Sequence, residues 1–106
     1  MQSTSIIIST YNKPHFLKKV LTGYTCQTNK DFSIIIADDG SDHHTTDLIS
    51  EFISKTNLDI SHVWHKDDGF RKSTILNKAI LKSESDYLIF SDGDCIPDQY
   101  FVATHL

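Results

Sequence analysis

Aspartate residues are the side chains of this sequence whose number and position most suggest chemistry. Of the fourteen acidic residues, twelve are Asp and only two are Glu, although Glu is the better helix former. Any single Asp is well explained as a turn or helix-cap residue. As a set, many like charges at one place repel one another, which favours a site that holds a divalent cation. Eight aspartates follow short apolar runs in three groups: Asp38, Asp39 and Asp42; Asp67 and Asp68; and Asp92, Asp94 and Asp98.

The strongest of these groups is Ser91-Asp92-Gly93-Asp94, which directly follows the apolar run Leu88-Ile89-Phe90. Two carboxylates two residues apart in extended backbone project to the same side, and Gly93 permits a turn or the close approach of a ligand. Mg²⁺ and Mn²⁺ are commonly held by one or two carboxylates together with water and substrate phosphates. An Asp-x-Asp alone is a weak signal, but its place after a strand predicts a site for a nucleotide diphosphate with its metal.

The elements that must position these residues alternate as β-α-β-α-β-α-β. Ser5 to Ser9 and Phe32 to Ala37 each hold three consecutive isoleucines, which is typical of central parallel strands covered on both faces. Ile60 to His65 alternates polar and apolar residues and is predicted near a sheet edge, whereas Tyr87 to Phe90 is predicted to be a buried strand. The pattern predicts a three-layer α/β/α fold with a mostly parallel, Rossmann-like sheet, and ligands bind such sheets at the carboxyl ends of the strands.

Three helices are predicted between these strands. Pro14 opens the first, and Ser41 or Asp42 caps the second. On the third helix, Lys72, Lys78 and Lys82 are expected opposite the apolar face. The predicted apolar faces are Leu17, Val20, Leu21 and Tyr24 for the first helix, Leu48, Ile49, Phe52 and Ile53 for the second, and Ile75, Leu76, Ala79 and Ile80 for the third.

Length and charge limit the class of protein. The 106 residues fit one small domain or a piece of a larger one. The formal net charge of −4 argues against nucleic acid as the main partner, because such binders carry a basic excess. No apolar stretch approaches the ~20 residues of a transmembrane helix, and the first residues lack a signal-peptide pattern. We therefore expect a cytoplasmic location, which includes peripheral attachment at the inner face of the cytoplasmic membrane.

Cysteine and histidine residues do not predict a metal site. Cys26 and Cys95 are far apart and fit no redox or metal spacing, so both are expected to be reduced thiols. Neither His43-His44 nor the pair His62 and His65 has a close third ligand of settled geometry. These histidines are expected at the surface or on the edge strand.

Five ordered motifs resemble family 2 glycosyltransferases of the GT-A fold, and the resemblance runs through all 106 residues. The Gly-Phe-Arg and Asp-Gly-Asp-Cys-Ile-Pro stretches resemble bacterial polysaccharide-assembly members in particular. The motifs are Ile8-Ser9-Thr10-Tyr11-Asn12-Lys13, Ala37-Asp38-Asp39-Gly40-Ser41, Asp68-Gly69-Phe70-Arg71, Asn77-Lys78-Ala79-Ile80 and Ser91-Asp92-Gly93-Asp94.

This resemblance implies that the end of the first strand, with Ser9 and Thr10, holds the base of a nucleotide sugar. Tyr11 is expected to stack on a uracil-like ring, and the alternative is that it packs against the first helix. Asp39 is expected to accept a hydrogen bond from the ring N–H of the base. Asp38 is expected either to contact the same part of the nucleotide or to brace the loop that carries Asp39.

Further site residues are implied by the same resemblance. Arg71 is expected to face the nucleotide; the alternative is that its side chain lies in solvent at the start of a helix. Asn77 is an expectation of lower rank, because it lies inside a helix. Asp94 is expected to bind the metal directly and bridge it to the diphosphate. Asp92 is expected at the ribose and at the metal.

The implied reaction is the transfer of a sugar, with inversion, from a nucleotide diphosphate sugar, expected to be a UDP-sugar, to a glycan or lipid-linked acceptor. The expected cofactor is Mn²⁺ or Mg²⁺. No residue of this chain is assigned as catalytic base, because the family's base and acceptor pocket normally follow beyond the position of Leu106. Asp98 to Leu106 resembles the start of a helix. The chain is thus expected to be the nucleotide-sugar-binding portion of a longer enzyme, truncated at the C-terminus and inactive alone.

Other enzyme families that use acidic residues at strand ends differ from this sequence in the order of their motifs. A sugar-phosphate nucleotidyltransferase shares the sheet and the metal, but a Gly-rich loop is expected after its first strand. Receiver domains and haloacid-dehalogenase-like phosphatases place their acidic pair after the first strand, whereas here the pairs follow the second and fourth. A non-catalytic nucleotide-sugar-binding module, or an interaction domain, stays open as an alternative.

Overall fold

The computed structural model of the protein describes residues 3–105. Their strands pair in the order β3-β2-β1-β4, and every neighbouring pair is parallel. The predicted alternation of strands and helices is confirmed. The strands are β1 (Thr4–Thr10), β2 (Ser33–Asp38), β3 (Ile60–Trp64) and β4 (Tyr87–Asp92), and the helices are α1 (Pro14–Thr25), α2 (His43–Lys55), α3 (Lys72–Lys82) and α4 (Phe101–His105).

The two isoleucine triplets form the centre of the sheet, as predicted. Successive side chains of a strand point to opposite faces, so each triplet contributes to both sides. Ile6 and Ile8 join a hydrophobic core with residues of α1 and α2, whereas Ile7 joins a second core with Ile75 and Ala79 of α3. Burial of each such side chain contributes about 1.5–3 kcal/mol. The result is a three-layer α/β/α arrangement.

The helices begin and pack largely where the sequence predicts. Pro14 opens α1, and Leu17, Val20, Leu21 and Tyr24 are its buried residues. Asp42, rather than Ser41, caps α2, because its carboxylate accepts a hydrogen bond from the His44 backbone N–H at 3.1 Å.

The end of the chain also contains the expected helix. It is α4, and Leu106 lies outside the described residues. Gln27, which follows α1, contacts this helix: the Oε1 of Gln27 accepts a hydrogen bond from the Val102 N–H at 3.0 Å. No helix within residues 3–105 has the length and apolar character needed to cross a membrane.

One expectation about the sheet is wrong. β3 is an edge strand, as predicted, but β4 lies at the opposite edge of the described sheet and is not a buried strand. Ile89 is its one buried residue, and Phe90 remains 53% exposed. The apolar run could not distinguish these cases. Ile89 packs in the first core, with α1 and α2, whereas on the other face of β4 Leu88 packs against the second core and Phe90 is left exposed.

Candidate functional site

A cleft of about 370 Å³ opens at the carboxyl ends of β1, β2 and β4. We call it the strand-end cleft. Four of the residues predicted from the sequence to bind a nucleotide meet there with the acidic pair that follows β4. Its lining consists of Ser9, Thr10, Tyr11, Lys13, Ala37, Asp39, Phe70, Lys72, Ile75, Asp92, Gly93 and Asp94.

The loops after β1 and β2 are tied together at the edge of this cleft. Asn12 adopts a left-handed φ of 46°, a conformation that Asn tolerates better than most residues. Its side-chain Oδ1 accepts from the Asp42 N–H at 2.7 Å, and its own N–H donates to Ser41 Oγ at 2.8 Å. These bonds fix the backbone that carries Tyr11 and Asp39.

Gly93 allows β1 and β4 to approach closely at the base of the strand-end cleft. Its N–H donates to the Ser9 carbonyl at 2.7 Å. A Cβ at this position would lie 2.9 Å from the same oxygen and 3.1 Å from Thr10 Oγ1. The absence of a side chain therefore serves the contact between strands. Gly93 also lies in the turn that the sequence suggested, which is closed by the Cys95 N–H donating to the Asp92 carbonyl at 3.1 Å.

Asp39 is a buried carboxylate at the wall of the cleft. It accepts hydrogen bonds from His65 Nε2 at 2.5 Å and from the Arg71 backbone N–H at 2.8 Å. Burial by itself would raise the pKa of Asp39, but these two hydrogen bonds outweigh it and hold the pKa below its ordinary value. Asp39 is thus an ionised acceptor, held in place, with further lone pairs available.

Asp38 has a different position from its neighbour. It is fully buried and is not among the residues that line the strand-end cleft. One carboxylate oxygen accepts from the Ser41 N–H at 2.9 Å, and the other lies 2.8 Å from His62 Nε2. Of the two roles expected for Asp38, the structure therefore corrects the nucleotide contact and retains the bracing of the loop.

Tyr11 stands over the opening of the cleft with its ring 44% exposed. Its hydroxyl donates to Asp67 Oδ2 at 2.6 Å, and this hydrogen bond to a carboxylate raises the pKa of the phenol. Asp67 follows β3, so the contact holds the ring across the ends of three strands.

Asp92 and Lys72 form an ion pair within the cleft. Asp92 Oδ1 accepts from Lys72 Nζ at 3.0 Å and from the Ser9 hydroxyl at 2.9 Å. The bond from Lys72, followed by that from Ser9, lowers the pKa of Asp92. Lys72 is the first residue of α3; its side chain is 42% exposed, and it lines the cleft.

Residues 5–106 match the sequence model of Glycosyl transferase family 2. The chain belongs to glycosyltransferase family 2. It is 32% identical over 103 residues to hyaluronan synthase of Pasteurella multocida, and this match covers 96% of the chain and 10% of the relative. The chain therefore spans about a tenth of the length of that synthase.

Two solved structures show how this family 2 chain folds. TarS 1–349 of Staphylococcus aureus, in complex with UDP-GlcNAc, has a TM-score of 0.80 at 22% identity, covering 97% of this chain and 30% of that one. Mannosyltransferase PcManGT of Pyrobaculum calidifontis, in complex with GDP-Man and Mn²⁺, has a TM-score of 0.84 at 19% identity, covering 96% and 30%. The predicted GT-A fold and family are confirmed.

The acidic pair of this glycosyltransferase chain fits a hard divalent cation. Carboxylate oxygens of Asp92 and Asp94 and the Cys95 thiol lie within 4.8 Å of one another, and all three residues are exposed. The hydroxyl and ammonium contacts of Asp92 involve Oδ1. Two oxygen donors with open positions suit Mg²⁺ or Mn²⁺, which complete their shells with water and phosphate. The soft thiol is not a preferred ligand of either ion.

Two other expected residues lie away from the strand-end cleft. The Arg71 guanidinium is 3.7 Å from Asp68 Oδ2, and its backbone N–H, rather than its side chain, contacts Asp39. Asn77 is exposed on α3. Neither side chain lines the cleft, so their predicted contacts with a nucleotide have no support from this geometry.

Several residues that build the cleft were not singled out from the sequence. Lys72 lies opposite the apolar face of α3, as expected, but helical periodicity does not show that this position lines the cleft. Lys72 opens a helix next to the strand ends, which is the signal that could have marked it. His65 is expected at the surface or on the edge strand; it directly follows the edge strand β3 and is buried against Asp39.

Proposed function

We propose that this chain is the nucleotide-sugar-binding portion of a glycosyltransferase that moves a sugar from a nucleotide diphosphate sugar to a glycan or lipid-linked acceptor. The observation that carries the proposal is the strand-end cleft, which joins an exposed aromatic ring, a buried ionised carboxylate and an exposed acidic pair. These groups match two parts of such a donor: the ring and the buried carboxylate suit its base, and the acidic pair suits its diphosphate with a metal.

The base end of the proposed site is formed by Tyr11 and Asp39. The exposed Tyr11 ring offers a face for stacking on a nucleobase. Asp39, whose pKa is lowered despite burial, offers a charged acceptor for a ring N–H. Uracil and guanine both supply such a ring N–H, whereas cytosine does not; of these we infer a UDP-sugar as donor, as the family resemblance implies.

The diphosphate end of the proposed site is formed by Asp92, Asp94 and Lys72. The two carboxylates would hold Mn²⁺ or Mg²⁺, and such a cation supplies positive charge that stabilises the departing nucleoside diphosphate. Lys72 brings a second positive charge to the same end of the cleft. Ser9 orients Asp92 through its hydroxyl.

The proposed reaction is a single displacement with inversion. The acceptor oxygen forms a bond to the anomeric carbon, the bond from that carbon to the diphosphate oxygen breaks, and the acceptor's proton passes to a base. We assign no residue of 3–105 as this base. We therefore expect the chain to bind the donor without transferring its sugar, and detectable transfer by the purified 106 residues would overturn that expectation.

Titration calorimetry tests the donor site directly. UDP is titrated into the folded chain with Mn²⁺ and, separately, with a chelator in place of the metal. The proposal predicts binding that strengthens at least tenfold with Mn²⁺, a difference of about 1.4 kcal/mol. The proposal is refuted if the folded chain fails to bind UDP both in the presence of Mn²⁺ and in the presence of the chelator.

A further inference from the structure

Three side chains form a hydrogen-bonded row that runs from α3 to the strand-end cleft. Lys78 Nζ lies 3.1 Å from His65 Nδ1, and His65 Nε2 lies 2.5 Å from Asp39 Oδ1. His65 follows β3 and is 8% exposed, whereas Asp39 follows β2 and is 6% exposed. The row therefore leads from an exposed lysine through a buried histidine to a buried carboxylate at the wall of the cleft.

The chemistry of the three groups gives this row a direction. A lysine ammonium has three donors and no acceptor, so His65 Nδ1 must accept from it. The imidazole proton is then on Nε2, where it donates to Asp39. Lys78 thus favours the one neutral tautomer of His65 that presents an N–H to the carboxylate, and a histidine protonated on both nitrogens would lose the contact with Lys78.

The carboxylate of Asp39 is held by donors on both oxygens. Oδ1 is bound by His65, and Oδ2 accepts from the Arg71 backbone N–H at 2.8 Å. Two bonds from separate elements fix the plane of the carboxylate as well as its position. The remaining lone pairs therefore point in fixed directions. A site needs such fixed acceptors in order to discriminate one ligand from another.

The neighbouring pair Asp38 and His62 provides a useful contrast. It repeats the acid-histidine contact one residue earlier, at 2.8 Å, but Asp38 is fully buried and does not line the cleft. That pair braces the loop. Only the pair of Asp39 and His65 ends on a carboxylate with access to the cleft.

We propose that His65 and Lys78 are positioning residues that hold the Asp39 carboxylate so that it selects a nucleobase carrying a ring N–H. This inference rests on the proposed function. Uracil has an N–H at the position where cytosine has a bare acceptor nitrogen. A site built to accept from such an N–H discriminates strongly against an analogue that lacks it, because the carboxylate would then face the lone pair of the bare nitrogen instead of a donor.

The experiment compares UDP with CDP, each in the presence of Mn²⁺, by titration calorimetry on the full chain. Inorganic pyrophosphate with Mn²⁺ serves as a third probe, because it has no base. The variants are His65→Ala, His65→Gln, Lys78→Met and, as a matched control, Lys82→Met, which removes an exposed lysine from the last turn of α3. Circular dichroism verifies that each variant is folded.

We expect His65→Ala to reduce the ratio of UDP to CDP affinity about tenfold, and Lys78→Met about threefold, as loss of one charge-assisted hydrogen bond or of its support predicts. His65→Gln restores part of the ratio, since its amide N–H₂ can donate to Asp39. Pyrophosphate binding stays at the wild-type value in all of them, and Lys82→Met leaves all three affinities unchanged.

Two results would overturn the inference in different ways. If the wild-type chain prefers UDP and the preference is unchanged in both His65→Ala and Lys78→Met, the positioning role is wrong while the proposed function stands. A merely structural role is indicated if UDP, CDP and pyrophosphate weaken by the same factor, and this also refutes the inference. If the wild-type chain binds no nucleotide, the proposed function itself fails.

Discussion

Lys72 Nζ lies 3.0 Å from Asp92 Oδ1, an oxygen that also accepts the Ser9 hydroxyl at 2.9 Å. The first residue of α3 is thereby joined to the last residue of β4 across the strand-end cleft. Lys72 therefore supplies positive charge at the place where the proposed diphosphate would bring negative charge.

Substitution of this lysine tests whether its charge serves the ligand. Lys72→Met is expected to weaken binding of UDP with Mn²⁺ about tenfold, because a charge-assisted contact with the diphosphate is lost. Lys72→Arg should retain most of the affinity. Titration calorimetry measures both, with Lys82→Met as the control on the same helix. Wild-type affinity in Lys72→Met would show that the lysine serves only Asp92.

The ring and the hydroxyl of Tyr11 can be tested separately. Tyr11→Phe keeps the stacking face but removes the hydrogen bond to Asp67, so UDP affinity should fall less than threefold, as expected for an exposed contact. Tyr11→Ala removes the face as well and should cost about tenfold. Fluorescence or calorimetric titration with UDP distinguishes the two. Equal losses in both variants would contradict the stacking role.

The lowered pKa of Asp39 predicts how stability depends on pH. Its folded-state pKa lies below the unfolded value of about 4, so the charged form stabilises the fold above pH ~4 and this contribution is lost as pH falls through the folded-state pKa. Asp39→Asn is expected to lower the free energy of unfolding at pH 7 by about 1–3 kcal/mol.

Urea denaturation between pH 3 and pH 8 measures this dependence. The difference between wild type and Asp39→Asn should stay constant from pH 8 to about pH 5 and shrink below pH ~4, since both chains are then neutral at this position. Asp47→Asn, an exposed site on α2, serves as the control and should differ little from wild type. A difference that is as large at pH 3 as at pH 7 would be inconsistent with the lowered pKa.

Gly93 is expected to tolerate no side chain. Its Cβ would lie 2.9 Å from the Ser9 carbonyl oxygen, which belongs to the backbone of the paired strand and cannot move without separating β1 from β4. Gly93→Ala should therefore lower the free energy of unfolding by about 1–3 kcal/mol. Chemical denaturation gives that value, and wild-type stability would show that the strand ends separate without cost.

Much of the fold could be predicted because hydrophobic pattern is a local property of the sequence. Ile6, Ile7 and Ile8 cannot all be buried on one face of a strand, so the run itself predicts a central strand covered on both sides. The same logic failed for β4. An apolar run such as Leu88 to Phe90 does not reveal that its outer neighbour is missing from the described sheet.

The site could be predicted only where residue type and strand end coincide. Asp39, Asp92 and Asp94 follow strands and meet at one cleft, because parallel strands end on the same side. Lys72 reaches this cleft, and His65 supports Asp39 at its wall, through side-chain contacts between elements far apart in sequence. Periodicity carries no information about such contacts, so their partners were found only in the folded structure.

The role of the acidic pair is the central claim, and Asp94→Asn tests it most directly. The matched control is Asp86→Asn, which makes the same change at an exposed position before the opposite end of β4. Calorimetry with UDP in the presence and absence of Mn²⁺ is expected to show that Asp94→Asn abolishes the enhancement by the metal, while Asp86→Asn retains it. An enhancement of wild-type size in a folded Asp94→Asn chain would contradict the account.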